Sequence, residues 1–359
     1  MTLQTIADRL GVSRMTVSNA FSQPDQLSAE LRERILLTAD ELGYVGPDPA
    51  GRALARGTSG AIGVLLTESL SEAFTDEVAT AFLGAIADEL APTGLALALL
   101  TASDREDVVP ARDLALDGAV LYSCLPESTA RTWLLRRRLP LVTVDQDPIQ
   151  GVASINVDDR AGAFAAAEHV LALGHRRVGL LLRSLDGSLG ISDDVSTSVE
   201  GYPQRQRLHG WLEALQGAGV EPVASNMPSN SSEARREAAR QLLTLPERPT
   251  AVLAFSDVAA FGVLAAAREL GLDVPRDLSV VGFDDSPAAG LSAPPLTTVR
   301  QDMAAKGREA AQALTAAIAR SRSPVKASRP RRVVLPTELV VRQSTGPVPS
   351  STGVVAFSR

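Results

Sequence analysis

At 359 residues the chain has room for two or three domains of roughly 150 residues each, and with 45% hydrophobic and 21% charged residues it is neither disordered nor fibrous. With 35 basic side chains against 42 acidic ones the net charge is −7, so any nucleic-acid surface must be local; one cysteine, Cys124, excludes a disulfide framework and a Cys-rich metal site, and three histidines leave little for another. No apolar run approaches the ~18 residues of a membrane span, and the N-terminal MTLQTIADRLG carries Asp8 and Arg9 rather than an apolar signal region, which leaves the expectation of a cytoplasmic protein with no membrane partner, no cofactor and no metal.

Residues 2–44 carry an all-helical pattern. Ile6, Ala7 and Leu10 sit at helical spacing, and Gly11 stops the helix. Ser13 opens a second helix with Val17, Ala20 and Phe21 on its apolar face. Ser28 opens a third, with Leu31, Ile35, Ala39 and Leu42 recurring every three or four residues. Ala7, Gly11 and Val17 fit a helix-turn-helix: a small residue where two helices cross, a left-handed turn, and an anchor in the core. On the opposite face of the second helix stand Arg14, Met15, Ser18 and Asn19. Arg pairs with guanine, Asn with adenine, and Met touches a thymine methyl. A three-helix protein-interaction module fits the same pattern. Charge does not decide between them, because residues 1–58 hold six basic side chains (Arg9, Arg14, Arg32, Arg34, Arg52, Arg56) against seven acidic ones.

Gly and Pro punctuate residues 45–60, which read as a linker, with PAGRALARG able to form a short helix only against a partner. From residue 61 apolar runs alternate with amphipathic helices. The runs are 61–66, 95–100, 118–123, 139–144, 178–182, 250–255 and 278–283; the helices include 160–173, 204–218, 232–245 and 257–271. Unbroken apolar strands between helices predict parallel sheets covered on both faces, here as two doubly wound subdomains.

The segments IADRLGVSRMTVSNAFS, LSAELRERILLTADELGYVGPDPAGRALARG, INVDDRAGAFAAAEHVLALGHRRVGLL, AVLAFSDVAAFGVLAAARELGLDVPRDLSVVGFDDSP and PPLTTVRQDMAAKGREAAQAL follow one another in order over residues 2–343. Together they resemble the LacI/GalR family of bacterial transcription regulators. The resemblance implies an α/β fold: a helix-turn-helix head (1–46), a hinge helix (47–58) and a body like periplasmic sugar-binding proteins (59–343). The body divides into one subdomain of 59–157 plus 288–320 and another of 158–287 plus 321–343, followed by a flexible tail (344–359).

The resemblance also assigns roles. Thr5, Ser13, Arg14, Met15, Thr16, Ser18, Asn19, Gly51 and Leu54 become the DNA-binding set, with Ser13 and Thr16 as phosphate contacts or caps and Leu54 as a minor-groove wedge. Many relatives carry Arg where Asn19 stands, and Ala where Gly51 stands. In open α/β sheets ligands bind beyond the carboxyl ends of the strands. With the family positions this gives Thr67, Phe74, Tyr122, Asp145, Arg207, Ser256 and Asp284 as the effector set. The opposing possibility is that Asp284 and Asp285 only shape a turn and Arg207 makes a surface ion pair. An insertion over 184–204 bears Asp186, Asp193, Asp194 and Glu200 at the edge of the pocket. The implied function is a ligand-responsive repressor, not an enzyme. It would bind palindromic double-stranded operator DNA as a homodimer, with a sugar, polyol or nucleoside as effector. The competing expectation is a cytoplasmic small-molecule-binding α/β protein whose head does not bind DNA.

Overall fold

The computed structural model describes residues 2–22, 24–46, 48, 51, 53, 57–66, 70–101, 109–184, 187–192, 195, 201–322 and 329–348. Leu54, Thr67, Asp186, Asp193, Asp194 and Glu200 lie outside these residues. Among the described residues no helix is long and apolar enough to cross a membrane.

Three helices build the head. Thr2 caps α1 (Leu3–Leu10) by accepting from the Thr5 amide, and Gly11 ends it at φ +67°, its N–H returning to the Ala7 carbonyl. That left-handed backbone is accessible to glycine without a Cβ penalty, and it turns the chain into α2 (Arg14–Ser22). After a 3-10 turn at Pro24–Gln26, Ser28 caps α3 (Ala29–Glu41). Ile6, Ala7, Val17, Ala20, Ile35 and Ala39 form the buried core between them.

The body holds two sheets. The first is wholly parallel, in the order β2-β1-β3-β4-β5-β12: β1 (Ala61–Leu66), β2 (Ala96–Thr101), β3 (Gly118–Tyr122), β4 (Leu141–Val144), β5 (Ala153–Val157) and β12 (Arg332–Leu335). Helices α4 (Leu70–Thr75), α5 (Glu77–Leu90), α6 (Pro110–Asp113) and α7 (Thr129–Arg136) lie between its first strands. The long α13 (Met303–Ser321) returns to pack with α5 over Val64, Val120 and Val142.

The second sheet runs β10-β9-β6-β8-β7: β6 (Val178–Arg183), β7 (Gly190–Ser192), β8 (Val223–Met227), β9 (Ala251–Ala254) and β10 (Ser279–Val281), parallel except for β7. On one face lie α8 (Asp159–Ala172) and α9 (Tyr202–Gly217), on the other α10 (Ser232–Leu243) and α11 (Asp257–Glu269). The short α12 (Pro287–Leu291) follows β10. A Cβ on Gly210 would lie 2.2 Å from the Arg160 carbonyl oxygen and 2.9 Å from the Phe164 nitrogen. Glycine therefore lets α9 approach α8 closely, and one turn earlier on α9 stands Arg207.

Three segments connect the subdomains: β5 into α8, β11 (Thr298–Gln301) into α13, and β12 into β13 (Thr337–Val340), which pairs antiparallel with β11. The last crossing corrects the expected boundary. Residues 332–335 belong to the first sheet, paired with Ser154–Val157, rather than to the second subdomain. The strand alternates exposed and half-buried positions, so it has no continuous apolar run. The expected tail also begins too early. Ser344 is fully buried, its carbonyl accepts from the Val280 amide, and its hydroxyl donates to the Val280 carbonyl at 2.6 Å. The Gly346 carbonyl lies 3.0 Å from His175 Nε2, and Val348 N–H donates to Leu173 O at 2.9 Å. Residues 344–348 are therefore a strap on the second subdomain.

Candidate DNA-reading face and effector cleft

Ser13 caps α2: its Oγ accepts from the Thr16 amide at 3.0 Å and sits 2.8 Å from the Thr16 hydroxyl. The first turn of α2 thus has its own satisfied cap. Beyond it Arg14 and Met15 are exposed, Met15 by 69%, while Thr16, Ser18 and Asn19 are half-buried. Thr5 is exposed on α1 and joined to Thr2. The Asn19 amide donates to Gln26 Oε1 at 3.0 Å. Gly51 is exposed.

A cavity of ≈ 340 Å³ opens between the two sheets of the body. Its lining includes Tyr122, Asp145, Arg207, Ser256 and Asp284 from the expected set. Phe74 is the correction: it is 61% exposed and lies outside the lining, whereas its helix contributes Ala73 and the next residue, Asp76, contributes the carboxylate. The apolar part of the wall comes from Leu66, Val78, Leu125, Phe255 and Val258. Tyr122 is held by stacking on Phe82, ring centroids 4.5 Å apart. Ser123 and Asp145 both follow strands with φ +52°, a left-handed conformation that non-glycine residues adopt at a cost and that clusters at ligand sites.

A buried polar chain forms the closed side of the cavity. Arg207 Nε donates to Asp159 Oδ1 at 2.8 Å, and Nη1 donates to the Phe255 carbonyl at 2.6 Å, with Asp284 Oδ1 at 3.5 Å. Its guanidinium carbon lies 3.6 Å from the Phe283 ring centroid. The Gln301 amide donates to Asp284 Oδ1 at 2.7 Å. Lys306 Nζ then donates to Gln301 Oε1 and to Asp145 Oδ2, both at 2.6 Å. Arg207 is thus no surface ion pair: it is 4% exposed.

Burial pushes the Asp284 carboxyl up to about 8, against the pull of Arg207 and with Asp257 and Asp76 adding to the rise. Burial also raises Asp159, which Arg207 opposes. For Arg207 burial alone would lower the guanidinium; Asp159 and Asp284 outweigh it and hold it above its ordinary value. Asp257, raised to about 6 by burial, takes another role. It accepts from the Thr298 hydroxyl and from the Ser286 amide, fixing the segments around β10 and β11. Ser256 caps α11 and lines the cavity.

Asp145 Oδ1, Gln204 Oε1 and Asn230 Oδ1 are buried acceptors with no hydrogen-bond partner on residues that line the cavity. Buried polar atoms are nearly always paired, so three partnerless acceptors on residues lining one cavity mark it as able to take donors, beside the Arg183 guanidinium that also lines it. The two most deeply buried cations, Arg207 and Lys306, have carboxylate partners. Sequence reasoning missed Gln204, Gln301, Lys306 and Asp159. Lys306 follows Ala304 and Ala305 in an amphipathic helix, where a lysine ordinarily marks a solvated face.

Helix-turn-helix head and two-sheet body with an interior polar cleft define a DNA-binding transcription regulator with a ligand-binding body. Residues 2–46 match the bacterial regulatory proteins of the lacI family, and residues 167–345 match the periplasmic binding protein-like domain. The chain is 37% identical to the HTH-type transcriptional regulator Rv3575c of Mycobacterium tuberculosis over 96% of this chain and 97% of that one. Among solved structures, the Lac repressor dimer bound to operator and the anti-inducer ONPF matches with TM-score 0.76 at 27% identity, covering 96% of this chain and 99% of that one. The CelR–cellobiose complex matches with TM-score 0.69 at 27% identity, covering 96% and 99%. The chain belongs to the LacI family of bacterial transcription regulators. Its relatives are transcription regulators rather than enzymes.

Proposed function

We propose that this protein is a homodimeric repressor of a palindromic operator, controlled by a neutral, hydroxyl-rich effector of the sugar or polyol class in the body cavity. The observation that carries the effector reading is the set of buried acceptors without a hydrogen-bond partner on Asp145, Gln204 and Asn230, residues that line a cavity which the Arg183 guanidinium also lines. Hydroxyl groups supply donors to such acceptors, and Tyr122 and Phe255 offer apolar faces beside them. The relative solved with cellobiose and the Lac repressor solved with operator and anti-inducer support the same arrangement. On the DNA side, Arg14, Met15, Ser18 and Asn19 would face the major groove, and Leu54 would enter the minor groove. Thr5, Ser13 and Thr16 would lie along the phosphates. A ligand favouring one angle between the subdomains would bias the head's operator affinity; such couplings are typically 1–3 kcal/mol.

The test is thermal unfolding with a panel of sugars, polyols, sugar phosphates and nucleosides, beside Gln204→Leu. Ligand at a hundred times its dissociation constant adds about 2.7 kcal/mol. The expected result is a rise in midpoint with a neutral polyol that Gln204→Leu diminishes. A rise confined to sugar phosphates would overturn the effector reading. Gln204 is a better probe than Arg207, whose removal would strand Asp159 in the core.

A further inference from the structure

We propose that Gln26 is a positioning residue for base reading by Asn19, and that the pair selects adenine at one position of each operator half-site. The inference rests on the operator-reading function above. Asn19 is half-buried on α2, and Gln26 is exposed on the 3-10 turn that follows. The Asn19 Nδ2 group donates to Gln26 Oε1 at 3.0 Å, across seven residues.

A carboxamide carries two N–H donors on one nitrogen and one acceptor oxygen. Gln26 takes one of the Asn19 donors. With Gln26 on the hydrogen anti to Oδ1, the other shares an edge with Oδ1, and that edge is a donor beside an acceptor. Adenine presents the complement in the major groove, an N7 acceptor beside an N6 donor; guanine presents two acceptors, one of which would face Oδ1.

Without a partner the end of an asparagine side chain turns freely, because its last torsion is broad and roughly two-fold. The donor–acceptor order would then reverse as easily as not. With its oxygen turned to α2, Gln26 holds the Asn19 amide group toward itself, and so sets the order offered to a base. Gln26 acts through Asn19, which is why its effect should fall on the same base. The head's near-balance of six basic and seven acidic side chains over residues 1–58 gives little sequence-independent grip, which leaves discrimination to contacts of this kind.

The experiment is selection of duplexes from a randomised palindromic pool by the full-length chain, read by sequencing, with circular dichroism to check folding. The expected wild-type result is an enriched site with adenine at one position of each half. Asn19→Ala should relax that position by roughly 5- to 150-fold, the range a bidentate base contact supplies. Gln26→Ala should relax the same position and leave the others. Gln26→Glu, which keeps the acceptor, should retain adenine while weakening binding to every duplex alike. Guanine at that position, unchanged selection by Asn19→Ala, an intact adenine preference in Gln26→Ala, or relaxation of different positions by the two alanine variants would each overturn the proposal while leaving operator reading in place. No enriched duplex for the wild-type chain would overturn both.

Discussion

Lys306 and Asp145 meet in the interior of the body, Nζ to Oδ2 at 2.6 Å, although 161 residues separate them. Lys306 is 1% exposed and Asp145 6%. The ammonium has only donors to offer, so its contact with Gln301 Oε1 obliges the Gln301 amide group to face the other way, toward Asp284. One cation thus sets the orientation of both a carboxylate from the first subdomain and an amide on the crossover strand. Asp145 Oδ1 is left without a hydrogen-bond partner.

Removing that cation should be costly, and the cost should be recoverable. Lys306→Met keeps the volume but leaves Asp145 buried without a counter-charge, a defect of about 3–5 kcal/mol. Asp145→Asn in the same chain removes the stranded charge, and replacing a buried pair as a unit is often close to neutral. Urea unfolding of the single and double variants checks this. A double variant as unstable as Lys306→Met would show that packing around the lysine stem, not the pair, carries the stability.

Gly210→Ala addresses how Arg207 reaches the cavity. The added Cβ would press on backbone atoms of α8 at 2.2 and 2.9 Å, so no side-chain rotation relieves it and the helices must part. The expected loss is about 1–3 kcal/mol. Arg207 should shift away from Asp159, so the effector-induced rise in midpoint should shrink in the same variant. A fully stable Gly210→Ala chain would mean that α8 and α9 have slack at their closest approach.

How much of this was legible depended on whether the signal was local. The runs that became β1, β3, β6 and β9 are apolar without interruption because helices cover both faces, and each stood out by composition alone. β8 (VASNM) carries Ser225 and Asn226 inward, Ser225 bonded to the Ala238 carbonyl, and so showed no such run. β12 and β13 have one half-exposed face. Arg207, Asp145 and Asp284 were visible because they follow recognisable motifs at strand ends or family positions. Lys306 and Gln301 became part of the site only through partners 161 and 17 residues away, and no spacing rule connects those positions. Phe74 is 61% exposed because the direction of its helix, unreadable from sequence, turns that ring outward.

Ser344→Ala tests the C-terminal strap. The Ser344 hydroxyl accepts from the Thr297 amide at 2.7 Å and donates to the Val280 carbonyl at 2.6 Å. Both partners are fully buried or nearly so, and losing the hydroxyl leaves two backbone groups without this contact. A buried group stripped of its partner costs about 1–3 kcal/mol, so the variant should unfold at lower urea concentration with unchanged slope. A loss below about 0.5 kcal/mol, the range of an ordinary surface change, would return residues 344–348 to the status of a tail.

The raised carboxyl of Asp284 gives the body a defined pH response. The folded chain holds that proton up to about pH 8, while an unfolded aspartate releases it near 3.9. Between those values unfolding releases a proton, so the contribution of Asp284 to stability falls as pH rises and levels off above about 8. Asp257, raised to about 6, acts with the same sign but is complete by neutrality. His169 and His175, lowered by burial, act in the opposite sense and below their ordinary value of about 6.5. Asp159, also raised by burial, acts with the same sign, so Asp284 is read from the difference between the wild-type chain and Asp284→Asn over pH 7 to 8. There Asp284 should contribute a loss of stability with a slope of at most about 1.4 kcal/mol per pH unit. Asp284→Asn, which keeps an acceptor for Gln301 and Arg207, should flatten that slope. Equal slopes for the two chains would mean that Asp284 is already ionised at pH 7 and that Arg207 outweighs its burial.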